Sequence, residues 1–480
     1  MITDTECVNA AGRIEDCYAH HLPAPASRIT CVDPLGYGRW LTEYQALRAT
    51  GLLHEPAINE IERRIHAIAL PLPPPVPGVH PNPLIGRLRL VDGIYADDTG
   101  SVNPVAIHTG DLFALYVRDP LKALGEMDKI GGAGHQLVRV WMNLGYPPFW
   151  TGWETDPHRT PDYWGQAQGF MAALSRRGVQ LVWSCGDYTF IGPTMTDRIA
   201  YAQTLARLPI QPAFLDAGNE SWHPVHGNDL YRDPANMARF IAAYKSAGGT
   251  ALCSLSSPPG TTKAEIDAYS ADIFDVHTQR DNHSWDKRRY VMGATYQDNG
   301  PKPDRHVGIN SEGPGEGPLV SASDFKEELD NEAMGTLCAA ALISRQAYVL
   351  FGSEGIKLQR GIETMTGFAN VRKLAQMFPR NIMRHGGVLH HCGVEAGGSI
   401  RVLSCGAPQV RCGGVMHTDG SFAYVLDGPP GDYQWVVERS FDGTVIHPGT
   451  CEAQPVSRRA GDLRHLTWQR GRVLIGKVRP

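Results

Sequence analysis

A chain of 480 residues is too long for one small domain, and 42% hydrophobic with 20% charged residues is a mix that buries a large core. A formal net charge of -5, with no block of Lys and Arg, excludes a surface built to neutralise the phosphates of a nucleic acid. No uncharged apolar run is long enough to span a bilayer, so no membrane role is expected.

Residues 1–86 read as an N-terminal extension. Helical periodicity runs through "WLTEYQALRATGLL" and "AINEIERRIHAIAL", and "PLPPPVPGVHPNP" is a stiff, extended, polyproline-like spacer. The opening "MITDTECVNAAGRIEDC" sets acids where a signal peptide carries its basic start, and no apolar stretch follows.

Residues 87–384 alternate short β-rich runs with amphipathic helical stretches, the pattern of a βαβ fold with parallel strands. Strands are predicted over 103–108, 136–143, 179–185, 212–218, 250–256, 273–277, 306–310 and 347–352. Helices are predicted in "PDYWGQAQGFMAALSRRG", "TDRIAYAQTLARL", "PANMARFIAAYKSAGG" and "FKEELDNEAMGTLCAAALIS", whose apolar residues recur at three and four. These eight units predict an α/β fold, a (β/α)8 TIM barrel. A doubly wound sheet binding a dinucleotide would carry a Gly-rich turn after its first strand, and "NPVAIHTGDLF" has none.

Residues 385–480 change to short alternating strands with Gly-rich turns, as in "GSIRVLSCG", "CGGVMHTDGSFAYVLDG", "YQWVVERSFDG" and "RVLIGKVRP", and predict a C-terminal β-sandwich. Ten cysteines are too few for a disulfide scaffold. Cys185, Cys253 and Cys338 lie in apolar patterns, where a thiol acts as a small hydrophobe. Cys392, Cys405, Cys412 and Cys451 cluster near the end, where pairing is open to them outside a cell.

In such a barrel the chemistry sits at the C-terminal ends of the strands. The fourth strand ends in Asn219-Glu220 and the seventh runs "HVGINSEGPG" into Glu312, so two carboxylates face one another across the barrel mouth. Opposed carboxyls suit glycoside hydrolysis, one protonating the leaving oxygen while the other attacks the anomeric carbon. Asn219 is placed to orient a sugar hydroxyl. Arg139, on the inward face of the second strand with Trp141, is placed to hold the nucleophile ionised. Rings gather in "GYPPFWTGWETDPHRTPDYW", which contains Tyr146, Phe149, Trp150, Trp153, Tyr163 and Trp164. Trp222 and Trp285 follow the fourth and sixth strands, and His108 and Trp183 stand at strand ends.

This layout resembles the cellulase-like clan (clan A) of retaining (β/α)8-barrel glycoside hydrolases. The residues that match are Asn219-Glu220, Glu312, Arg139 and His277 at the end of strand six, with "GIYADDTGSVNPVAIHTGDLF" resembling the hairpin and first strand of such barrels. The resemblance covers Leu88 to Met383 and implies Glu220 as acid/base, Glu312 as nucleophile, and a poly- or oligosaccharide substrate with no cofactor. "WSCGDY" and "YVLFGSEG" depart from the His and Trp that many members carry after strands three and eight.

The bland alternatives are a solvated helix-start acid for Glu220 and a loop carboxylate for Glu312, for which the neighbouring Glu316 or Glu354 is easily mistaken. "GPGEGP" lacks the Lys-Ser/Thr of a phosphate loop, and the sequence has no HExxH and no GxSxG elbow. A metallohydrolase and a serine esterase are therefore disfavoured. A different class remains open: a non-catalytic glycan-binding or structural protein, of virion or tail type, that keeps the barrel as a scaffold. The expected location is cytoplasmic, or virion-associated and released by a non-classical route. Oligomeric state has no signal in the sequence.

Overall fold

The computed structural model describes residues 44–51, 53, 56–57, 59–60, 83–145, 152–185, 191–219, 230, 233–257, 268–276, 308–310, 315–316, 331–343, 346–352, 361–379, 388–391, 400–405, 411–417, 419–427, 431–437, 439–461, 463–468 and 472–479. Within the N-terminal helical prediction, residues 44–49 are helical. Three short antiparallel strands then open the next region: β1 (Arg89–Val91), β2 (Ile94–Asp97) and β3 (Gly100–Ser101). They contain the hairpin that the sequence suggested.

Strands β4 (Val105–His108), β5 (Leu137–Trp141), β6 (Gln180–Ser184) and β7 (Phe214–Asp216) pair side by side in chain order, all parallel. The expected run 250–256 is divided at Leu255 into β8 (Leu252–Ser254) and β9 (Ser256–Ser257). The first piece pairs with β7 and the second with β10 (Phe274–Val276). From there β10 pairs with β11 (Gly308–Asn310), which pairs with β13 (Gln346–Gly352), and β13 returns to β4. A two-residue strand, β12 (Gly315–Glu316), also lies parallel to the end of β13. With β8 and β9 as one interrupted strand, eight parallel strands close a ring.

Two hydrophobic layers follow from the two-residue alternation along these strands. Ala106, Leu137, Val182, Phe214, Leu252, Ile309, Ala347 and Val349 form one cluster with Ile273, and a set drawn from all round the ring can meet only inside it. Leu84, Leu88, Tyr95 and Val102 from the N-terminal hairpin region belong to the same cluster, and the Tyr95 ring meets Phe214 edge-on at 5.7 Å. They close the barrel at the starts of its strands. Each large apolar side chain taken fully from water here stabilises the fold by roughly 1.5–3 kcal/mol.

The alternate residues, among them Val105, Ile107, Val138, Val140, Leu181, Trp183 and Leu215, face outward into a second cluster shared with the helices. Those helices are α1 (Leu112–Arg118), α2 (Pro120–Ala133), α3 (Tyr163–Ser175), α4 (Met195–Ala206), α5 (Pro234–Ser246), α6 (Asn331–Ile343) and α7 (Phe368–Met377). Their starts are set by local chemistry. Asp119 and Asp233 cap α2 and α5, each followed by a proline in the first turn, whose missing N–H costs nothing there. Thr194 and Asp197 form a reciprocal capping box on α4.

The C-terminal strands form two antiparallel sheets. One has six strands, with β14 (Val388–His391), β16 (Arg411–Met416), β17 (Ser421–Asp427), β22 (Arg472–Val478), β19 (Phe441–Ile446) and β20 (Ala453–Arg458) adjacent in that order. The other has three: β15 (Ile400–Cys405), β18 (Gly431–Val437) and β21 (Leu463–Trp468). One face of the six-stranded sheet lies on the barrel. Ala423, Val425, Ile446 and Val473 share a cluster with Met334, Cys338 and Leu342 of α6. The rim of this seam is polar: Arg472 and His447 both approach Glu332, and Asn370 of α7 donates to the Pro448 carbonyl.

Cysteines 185, 253, 338 and 451 are buried free thiols. The first three match the reduced state expected for them. Cys451, one of the four C-terminal cysteines open to pairing, instead points its thiol at the Asn370 carbonyl, 3.3 Å away in the seam.

Candidate active site at the strand ends

Inside the ring, the apolar layer gives way to polar side chains further along six of the eight strands. Ala106 is followed by His108, Leu137 by Arg139, Val182 by Ser184, Phe214 by Asp216 and Ile273 by Asp275, with Ser256 continuing the Leu252 face. All six polar residues are fully buried. Residues two apart on a strand share a face, so these six strand ends together build a polar floor at the C-terminal side of the barrel.

Arg139 is the hub of that floor. Its Nη1 donates to His108 Nδ1 at 2.9 Å, and its Nη2 donates to Asn219 Oδ1 at 2.5 Å, Asp216 Oδ2 at 3.0 Å and Ser184 Oγ at 3.2 Å. Arginine and Asp216 form an ion pair with no exposure of either side chain. Such a pair persists because hydrogen bonds satisfy the remaining lone pairs and protons, and Asp216 meets that condition. Its two oxygens also accept from Ser184 Oγ (2.6 Å), Ser256 Oγ (3.1 Å), and the backbone N–H groups of Gly218 and Ser256 (both 3.2 Å).

Asn219 is buried just beyond β7, its backbone N–H donating to the Cys185 carbonyl at 3.1 Å. Trp141 closes β5. Its backbone N–H donates to the Gly110 carbonyl, and its ring meets the edge of His108 at 5.0 Å between centroids. Close approach explains the glycine: a Cβ at position 110 would lie 2.7 Å from the Trp141 ring. Trp141 is only partly buried.

Four of the residues singled out by sequence therefore come together here: His108, Arg139, Trp141 and Asn219. Asp216, Ser184 and Ser256 were missed. Their signal was a polar side chain on the same face as an interior apolar residue, which needs the inward face of each strand to be known. Glu220, His277, Glu312, Trp150, Trp222 and Trp285 lie outside the described residues.

The remaining aromatic candidates pack elsewhere. Trp153 is half-buried against the outer cluster, with the Arg118 guanidinium 5.3 Å over its ring. Trp183 points outward and donates to Tyr201 Oη at 3.0 Å, and Trp164 stacks on it at 6.2 Å. Tyr163 Oη lies 3.0 Å from Tyr201 Oη, and Tyr201 donates to Asn143 Oδ1 at 2.8 Å. Burial pushes the Tyr163 and Tyr201 hydroxyls well above the ordinary tyrosine range. Burial does the same to the Cys185 thiol, with the negative charge of Asp216 adding to it.

A groove of about 470 Å³ lies at the opposite end of the barrel, lined by Leu84, Met171 and Pro212 among others. Its Gln180 and Gln211 amides already donate to backbone carbonyls. Among the described residues, no group of three or more His, Cys, Asp or Glu is arranged to hold a metal ion, and no helix is long and apolar enough to cross a membrane.

No family model matches the chain, and no curated protein is similar to it in sequence. Solved structures are similar to it in fold. One described as a glycoside hydrolase has 11% identity and a TM-score of 0.58, with 82% of this chain and 97% of that one covered. A glycoside hydrolase family 5 protein from Bacteroides vulgatus has 12% identity and a TM-score of 0.57, over 82% of this chain and 93% of the other. At this identity the likeness is one of fold: the chain resembles barrel glycoside hydrolases in architecture.

Proposed function

We propose that the chain is a retaining glycoside hydrolase that cleaves a β-linked glycan by double displacement. The observation that supports it most is the seating of Asn219: buried at the end of β7 and held by Arg139 from β5, it is followed in the chain by Glu220. In the chain, Glu312 follows two positions after the last residue of β11, the seventh strand of the ring. The fold shared with glycoside hydrolases supports the same reading.

In this reading Glu312 attacks the anomeric carbon while Glu220 gives its proton to the departing oxygen. Glu220 then deprotonates the water that releases the sugar from Glu312. Retention calls for carboxyls about 5 Å apart. Asn219 and His277 contact sugar hydroxyls, and Trp141 offers its partly open ring to an apolar sugar face, joined by Trp150, Trp222 and Trp285. We assign residues 1–86 to an extension, 87–384 to the catalytic barrel and 385–480 to a β-sandwich companion.

The test is a panel of aryl β-glycosides and polysaccharides, with Glu312→Ala beside the unaltered protein. Turnover that disappears in the variant supports the proposal. Glycan binding without turnover, unchanged by the substitution, contradicts it and favours the non-catalytic scaffold.

A further inference from the structure

Arginine has five N–H donors and no acceptor, so whatever faces Arg139 within hydrogen-bond distance must be accepting. This fixes two orientations. His108 meets the guanidinium with Nδ1, so the neutral ring carries its proton on Nε2. Asn219 meets it with Oδ1, so its amide N–H groups are turned away from Arg139. Both orientations depend on where the guanidinium lies, and that is fixed from below. Asp216 takes Arg139 Nη2 on one oxygen and is itself held from two other strands, by Ser184 of β6 and Ser256 of β9, and by the backbone of Gly218 in the turn that follows its own strand.

We infer that Asp216 is a positioning residue: through Arg139 it sets the tautomer of His108 and the amide orientation of Asn219, and so fixes which polar atoms the barrel floor presents to a sugar. Asp216 touches no substrate in this arrangement. Its carboxylate faces Arg139 from the core side, keeping the guanidinium spread between His108 and Asn219. The orientation itself stands on the geometry, while its consequence for catalysis rests on the glycosidase reading.

The experiment uses the full chain with Asp216→Asn, read in two independent ways. In protein labelled with 15N-histidine, long-range 1H–15N correlation reports the His108 tautomer, the signal being assigned by its loss in His108→Gln. Expected is a protonated Nε2 and bare Nδ1 in the unaltered protein, and a mixture of tautomers in Asp216→Asn. With the best glycoside of the panel, kcat is expected to fall about 10²-fold while KM changes little, the pattern of misplaced groups in a site that still binds. Should Asp216→Asn not fold, Ser256→Ala removes one donor to Asp216 and leaves the ion pair, with a loss in kcat of about fivefold, the weight of one hydrogen bond. An unaltered protein with Nδ1 protonated overturns the inference, as does a folded Asp216→Asn with unchanged tautomer and kcat. If the tautomer responds as expected but the unaltered protein turns over no glycan, the orientation stands and the glycosidase reading fails.

Discussion

Removing the cation of the buried pair, as Arg139→Met, leaves Asp216 charged in the barrel floor with only hydroxyl and amide donors. The two charges lie 3.0 Å apart with no solvent exposure, and at an effective dielectric of about 20 their attraction is about 5.5 kcal/mol. Truncating one partner of such a pair costs about 3–5 kcal/mol, because the other stays behind as an uncompensated charge. Asp216→Asn should cost a similar amount. The double variant should lose no more than the worse single one, since it strands no charge, giving a coupling at least as large as the smaller single loss, about 3–5 kcal/mol. Urea unfolding of the full chain, followed by tryptophan fluorescence, measures all four corners of the cycle. Losses below about 1 kcal/mol in each single variant, or strictly additive losses, would refute the reasoning.

Three further outcomes are expected. Tyr201→Phe strips hydrogen bonds from Trp183, Tyr163 and Asn143 at once in the outer layer, and should lower stability by about 2–4 kcal/mol in the same assay; a loss under about 0.5 kcal/mol contradicts it. Gly335→Ala gains about 1 kcal/mol of helix propensity but sets a Cβ 2.2 Å from the Pro448 carbonyl oxygen, a backbone atom that cannot step aside cheaply. Overpacking of about 1–3 kcal/mol should win, so thermal unfolding moves down; an upward shift would show that the seam yields. Burial raises the Cys185, Cys253 and Cys338 thiols above the ordinary range, so little reactive thiolate forms at pH 8. Mass spectrometry after iodoacetamide should find them unlabelled in the native protein and labelled in urea, and labelling in the native state would contradict their burial.

The barrel was legible because parallel strands buried on both faces read as short apolar β-rich runs, and each of the eight predicted runs contains or overlaps an observed strand. The break at Leu255 was not legible, since nothing local separates "LCS" from "SS"; it shows only in the pairing, where the first piece bonds to β7 and the second to β10. Among the rings, periodicity could not tell inside from outside. Trp141 and Trp183 both stand near strand ends, yet Trp141 shares the interior face of Leu137 and Arg139 while Trp183 shares the exterior face of Leu181. Arg139 was found by its charge in an apolar run. Asp216 was passed over because "FLDAG" reads as a strand ending in a turn, and only the pairing of β7 with β6 and β8 brings Ser184 and the guanidinium against it. As a result, the positive charge expected to serve the nucleophile already has a carboxylate partner in the core.

The most direct test of the glycosidase reading is covalent trapping. The protein is incubated with activated 2-deoxy-2-fluoro-β-glycosides chosen from the substrate panel, then digested, and the peptides are weighed. Expected is one glycosyl adduct, on the peptide that contains Glu312, with activity lost in step with labelling. An adduct on a different carboxylate, or turnover that releases sugar of inverted configuration with no adduct, would contradict it.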